Sequence, residues 1–211
     1  MKKSITWLTA LSGVVVLLAG CTPEVSVTTS SSEPSAPAAS ATARPSPAVV
    51  QLDDVTAADR YLDLVCPNNI AIRELADAFA AGEDEMLNGG DPDATAVRAV
   101  AARRLELNRQ TLTLLDDPSV FWPDAVGDQL KHVRSSYLSE LPTLDTMANA
   151  ATFRDAFYTT FSEASPEQKA AGQQIRYTLG IDADTVASCV GHETGLERLA
   201  AEYADRQAAL D

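Results

Sequence analysis

The sequence predicts an all-α fold, an irregular bundle of about five or six helices over residues 51–211. Three observations predict it. Apolar residues recur at intervals of three and four, which puts them on one face of a helix turning every 3.6 residues. The periodic stretches are separated by residues that start and stop helices, namely Pro, Gly, Asp and Ser. No run alternates apolar and polar residues in the way a half-buried strand would. The 161 residues are enough to bury one core.

Ahead of the domain, Lys2 and Lys3 carry the only charges before a stretch of apolar or small residues from Ile5 to Leu18. Its 14 residues fall short of the roughly 20 that a bilayer-spanning helix needs, so it reads as a signal peptide. It ends in Leu18-Ala19-Gly20-Cys21, which resembles the lipobox of bacterial lipoproteins. That resemblance implies removal of residues 1–20, a diacylglyceryl group on the Cys21 sulfur, and further acylation, with palmitate for example, at the new amino terminus. The partner so implied is a membrane, reached through lipid. More than one chain is needed, because a single acyl chain binds a bilayer only marginally.

Residues 21–50 are expected to be the lipidated cysteine and a disordered tether. Ser, Thr, Pro and Ala fill 22 of the 29 positions from Thr22 to Val50. Such a segment has little large apolar surface to offset the entropy of ordering. As a coil it would span roughly 30 Å, and about 90 Å if drawn out by its prolines.

Within the domain, Thr56 and Asp59 read as an N-cap and an acidic N3. Tyr61, Leu62 and Val65 follow, then Pro67, which either kinks one helix or separates two. Ile72, Leu75, Ala76, Phe79 and Ala80 continue a face, and an acidic loop is expected from Gly82 to Gly90. Asp91-Pro92 is the expected start of a helix with the stripe Val97, Ala101, Leu105, Asn108, Leu112 and Leu115. The next stripe is Val126, Leu130, Val133, Tyr137, Leu141 and Leu144, with Pro142 expected to kink or end it. Phe153, Phe157 and Phe161 suggest a shorter helix whose aromatic face is core. Ser165-Pro166-Glu167-Gln168 is a capping box with Pro at N1, opening a helix that carries Ala171, Ile175 and Leu179 and stops at Gly180. Leu196, Leu199, Ala200, Tyr203 and Leu210 mark the last helix.

Once Cys21 is acylated, Cys66 and Cys189 remain. Two thiols in an exported chain, without CxxC spacing or flanking histidines, are expected to form a disulfide tying the first helical region to the last.

Charge restricts the partners. Without residues 1–20 the chain holds 14 basic and 30 acidic side chains, a formal charge of −16. Nucleic acid is not an expected partner, since phosphate contacts need clustered positive charge. Nor does the sequence carry a metal, cofactor or catalytic motif. His192-Glu193 starts like HExxH but lacks the second histidine, and neither His132 nor His192 has the Glu-x-x-His spacing of a di-iron site. The acidic run from Glu83 to Asp93 lacks the EF-hand register. Asp182 and Asp184 read as a turn or a helix cap, and Arg103-Arg104 are expected to pair with carboxylates such as Glu106 or Asp93.

The plan of lipobox, Ser/Thr/Pro tether and Ala-rich helical domain with a cysteine near each end is similar to that of helical cell-envelope lipoproteins of actinobacteria. The resemblance implies an address and no activity. The expected function is therefore a tethered binding or interaction module for an unknown protein or small ligand. The alternative is an envelope enzyme built on two carboxylates in a cleft.

Overall fold

A computed structural model describes residues 49–209. The signal sequence, Cys21 and the expected tether up to residue 48 lie outside the described residues, as does Leu210. Six α-helices make up most of what is described: α1 Asp54–Leu87, α2 Thr95–Leu115, α3 Gly127–Ala148, α4 Phe153–Phe157, α5 Pro166–Thr178 and α6 Gly195–Ala208. This is the all-α bundle that the periodicity implies. Among the described residues no helix is long and apolar enough to cross a membrane.

The frame is built around α1. From Arg60 to Asn68 every residue of this helix is buried, because α2 and α6 pack directly on it and α3 and α5 close the remaining side. Burial all round explains why Pro67 neither ends the helix nor separates two: α1 runs unbroken through it for 34 residues. Tertiary packing supplies more than the lost hydrogen bond and ring clash cost. Pro142 likewise sits inside α3, which continues to Ala148.

Several boundaries differ from expectation, each for a local reason. The N-cap of α1 is Asp53 rather than Thr56. Its carboxylate accepts from the Thr56 amide at 2.8 Å while the Thr56 hydroxyl accepts from the Asp53 amide at 3.0 Å, a capping box with threonine at N3. The expected loop from Gly82 is helix as far as Leu87, and Gly82 is there for contact. A Cβ on it would lie 2.6 Å from the Phe153 ring. The chain turns only at Gly89, where φ is +86°. Asp91-Pro92 does not open α2. Asp93 instead accepts from the Thr95 amide at 2.9 Å and α2 starts at Thr95. The face of α1 beyond Pro67 is Ala71, Leu75, Gly82 and Met86, leaving Ile72, Ala76 and Ala80 exposed. Phe153 and Phe157 pack with Phe79 in the core at centroid distances of 5.9 Å, but α4 stops at Phe157. Phe161 lies outside it, 5.2 Å from the Arg104 guanidinium.

Other signals hold. Ser165 and Gln168 form the reciprocal capping box of α5, with Pro166 at N1. Gly180 ends that helix at φ +69°, and the Ile181 amide donates back to the Arg176 carbonyl at 2.8 Å. The buried face of α2 contains Val97, Ala101, Leu105, Asn108 and Leu112, and that of α3 contains Leu130, Tyr137 and Leu144.

One feature has no counterpart in the periodicity. Val50–Gln51 pairs in parallel with Val120–Phe121 (β1 and β2), and Leu52 beside it is buried against Ala57 and Val120. The chain is thus engaged with the domain from Val50, within the stretch expected to be tether.

Cys66 of α1 and Cys189, in a 3₁₀ turn at Ala187–Cys189, are bonded, with Cα atoms 5.3 Å apart. The bond lies in a core cluster with Leu64, Leu114, Ile175 and Leu196.

Candidate ligand-binding site

Burying nine consecutive residues of α1 also buries their polar side chains, and those polar groups build the sites. Two of the pockets that border α1 are lined by these polar side chains.

The first lies between α1, α3 and α5 and holds about 390 Å³, within the range usual for small-molecule sites. Tyr61, Val65 and Asn68 reach it from α1, Val133, Tyr137 and Glu140 from α3, and Gly172 and Arg176 from α5. Gly172 permits the close approach of α5: a Cβ there would stand 3.3 Å from the Tyr61 hydroxyl oxygen. Burial pushes the Tyr61 phenol up to about 12, against a smaller opposing effect of the nearby Arg176 charge. The Tyr137 phenol is also pushed up, by burial first and by Tyr61 second. Both are therefore neutral hydroxyls at any physiological pH, able to donate and accept.

Behind them lies a fixed polar network. The buried Arg104 guanidinium donates to Asn68 Oδ1 at 3.1 Å and to Glu140 Oε2 at 2.8 Å, and Asn108 Nδ2 donates to the same Glu140 oxygen at 3.0 Å. The network holds Glu140 and Asn68 in fixed positions at the pocket wall. On the opposite wall Arg176, 2% exposed, donates through Nη1 to the Asp182 carbonyl at 2.8 Å and the Ser188 hydroxyl at 2.6 Å.

The second pocket, about 540 Å³, lies between β1, α1 and α6. Its charges are already matched. Arg60 donates to Glu202 at 2.9 Å. The buried Asp63 carboxylate receives both the Nε of Arg198, at 3.2 Å, and its Nη2, while Nδ1 of His192 lies 2.7 Å from Asp63 Oδ1. Gly195 makes that cluster possible, since a Cβ there would lie 2.5 Å from Asp63 Oδ1. The cluster clamps the segment before α6 onto α1.

Comparison with protein-family models, with curated proteins and with solved structures finds no match to this chain.

The residues singled out in the sequence fall mostly away from the pocket. His132 is half-buried on α3, and His192 serves Asp63. Asp182 and Asp184 form a turn as expected: Asp182 accepts from the Asp184 amide, and Asp184 from Val186 and Ala187. Arg103 and Arg104 do pair with carboxylates, but across helices, with Glu74 and Glu140 rather than Glu106 or Asp93. Among the described residues no three His, Cys, Asp or Glu side chains gather to hold a metal ion. Tyr61 and Tyr137 were legible as core positions without their polar role. Asn68, Glu140 and Arg176 carried no signal of their own. Asn108, a lone amide in an apolar stripe, was the visible trace of the network.

Proposed function

We propose that the chain is a lipid-anchored extracytoplasmic lipoprotein whose helical domain is a binding module, with the pocket between α1, α3 and α5 as its site for a small ligand. The address rests on Leu18-Ala19-Gly20-Cys21 behind a short uncharged segment. The single observation behind the binding reading is the convergence of Tyr61, Tyr137, Asn68 and Arg176 on one cavity backed by a fixed network. Small-ligand sites use placed polar groups to orient what they bind; here such groups outnumber the apolar wall residues Val65, Ile72 and Val133. A carboxylate-based enzyme would need two carboxylates free to act in a cleft. In the α1–α3–α5 pocket the wall carboxylate Glu140 is instead tied down by Arg104 and Asn108, and beside α6 the buried Asp63 is held by Arg198 and His192. That favours recognition over proton transfer.

A chemically diverse fragment set, titrated against the isotopically labelled mature chain, should move the backbone resonances of Tyr61, Tyr137, Gly172 and Gln173 together. Shifts scattered over the surface, or centred on the other face of α1, would contradict the reading. The address is tested separately: Cys21→Ala should leave the membrane fraction, and retention there would place the anchor elsewhere.

A further inference from the structure

We propose that this pocket selects a small organic carboxylate carrying further hydroxyl or carbonyl oxygens, with Arg176 as its counter-charge. The inference rests on the pocket reading above and adds the ligand's charge.

Among the described residues, four arginine side chains are about one-tenth exposed or less: Arg60, Arg104, Arg176 and Arg206. Three have a carboxylate at close range, Arg60 on Glu202 at 2.9 Å, Arg104 on Glu140 at 2.8 Å and Arg206 on Asp117 at 2.6 Å. Arg176 donates to neutral oxygens only; like nitrogens of Arg60 and Arg206, its Nη2 is buried without an acceptor among the described residues, but those two have a carboxylate on another nitrogen and Arg176 has none. A buried guanidinium lacking a counter-charge is costly. The chain has 30 acidic residues with which to supply one. Asp184 keeps its charge and acts on the guanidinium from longer range, but the amides of Val186 and Ala187 hold its carboxylate, which makes no hydrogen bond to Arg176.

The other ionisable groups at the pocket cannot neutralise it. Glu140 is matched by Arg104, Tyr61 and Tyr137 are neutral, and Lys169 on the rim adds positive charge beside Glu163. Arg176 is thus the one guanidinium of these four with no carboxylate in hydrogen-bond range, in a strongly acidic protein. A planar guanidinium suits a carboxylate. The hydroxyls of Tyr61 and Tyr137 and the amides of Asn69 and Gln173 suit additional ligand oxygens.

The first comparison varies only the ligand, so folding is untouched in it. Calorimetric titration of the mature chain, carrying Cys21→Ser to omit the lipid, would use gluconate and 4-hydroxybenzoate beside their primary amides, and inorganic phosphate. At least one acid should bind tenfold or more tighter than its amide and than phosphate. Arg176→Gln should remove that preference, and Gly172→Val should weaken acid and amide alike. Acid and amide binding equally, or phosphate binding best, would overturn the inference and leave the pocket reading standing. The same follows if none of these probes moves the pocket resonances while other fragments do. If no fragment moves them, the pocket reading itself fails.

Discussion

Replacing Cys66 or Cys189 by alanine removes the one covalent link between α1 and the segment leading into α6. The two cysteines are 123 residues apart in sequence. Cross-linking a loop of that length lowers the entropy of the unfolded chain by an amount worth about 5 kcal/mol, an upper figure in a usual span of about 2–5 kcal/mol for a native bond. Against a typical total of about 5–15 kcal/mol, the loss moves the unfolding midpoint far. The bond also closes the 3₁₀ turn whose Ser188 accepts from Arg176, so one wall of the pocket should loosen with it. The assay is urea denaturation of the oxidised wild type, both single variants and the double variant, with hydrogen exchange on Ser188 and its neighbours. Either single substitution should cost about 2–5 kcal/mol. The double should cost little more than a single, because both remove the same constraint. Singles within 1 kcal/mol of wild type, or a double equal to their sum, would refute the reasoning.

Gly195→Ala should destabilise by about 1–3 kcal/mol, since its Cβ would press on both the backbone and the carboxylate of buried Asp63; thermal unfolding reads it, and an unchanged midpoint would mean that α6 can move. Burial alone would raise the Asp117 carboxyl, but hydrogen bonds from Ser119 and Arg206 outweigh it and hold the group below the ordinary value of 3.8. Its contribution is therefore present above the unfolded carboxylate range and lost as pH falls through the lower folded value, so Asp117→Asn should flatten the acid limb of stability against pH. The Tyr61 phenol runs the other way. Raised to about 12, it contributes stability that is full below the unfolded value of 10.0 and lost as pH rises towards 12. Tyr61→Phe should reduce the loss of stability between those two pH values, measured by urea midpoints.

The helices were legible because amphipathic periodicity is a local property. The stripes of α2 and α3 and the Ser165 capping box stand where the spacing puts them. Boundaries failed where a single contact decided them. Asp53 caps α1 because threonine can occupy N3, and Gly82 marks a ring against a helix rather than a loop. Pro67 could not be resolved from sequence, since its tolerance depends on packing by elements distant along the chain. The pocket was least legible for the same reason. Arg104 meets Glu140 across 36 residues, and Arg176 is notable only for the carboxylate it lacks, a property visible after folding alone.

The central claim is that the cavity between α1, α3 and α5 holds a small molecule. It is tested most directly by mass spectrometry of what the native protein carries after incubation with a small-molecule extract of bacterial envelopes, in wild type and in Gly172→Val. The substitution pushes a side chain towards the hydroxyl of Tyr61, whose ring belongs to the core, so the thermal midpoint of the variant is measured first to establish that it is folded. The account predicts at least one compound retained by the wild type and lost from the folded variant. The same compounds on both proteins, or none on either, would contradict it.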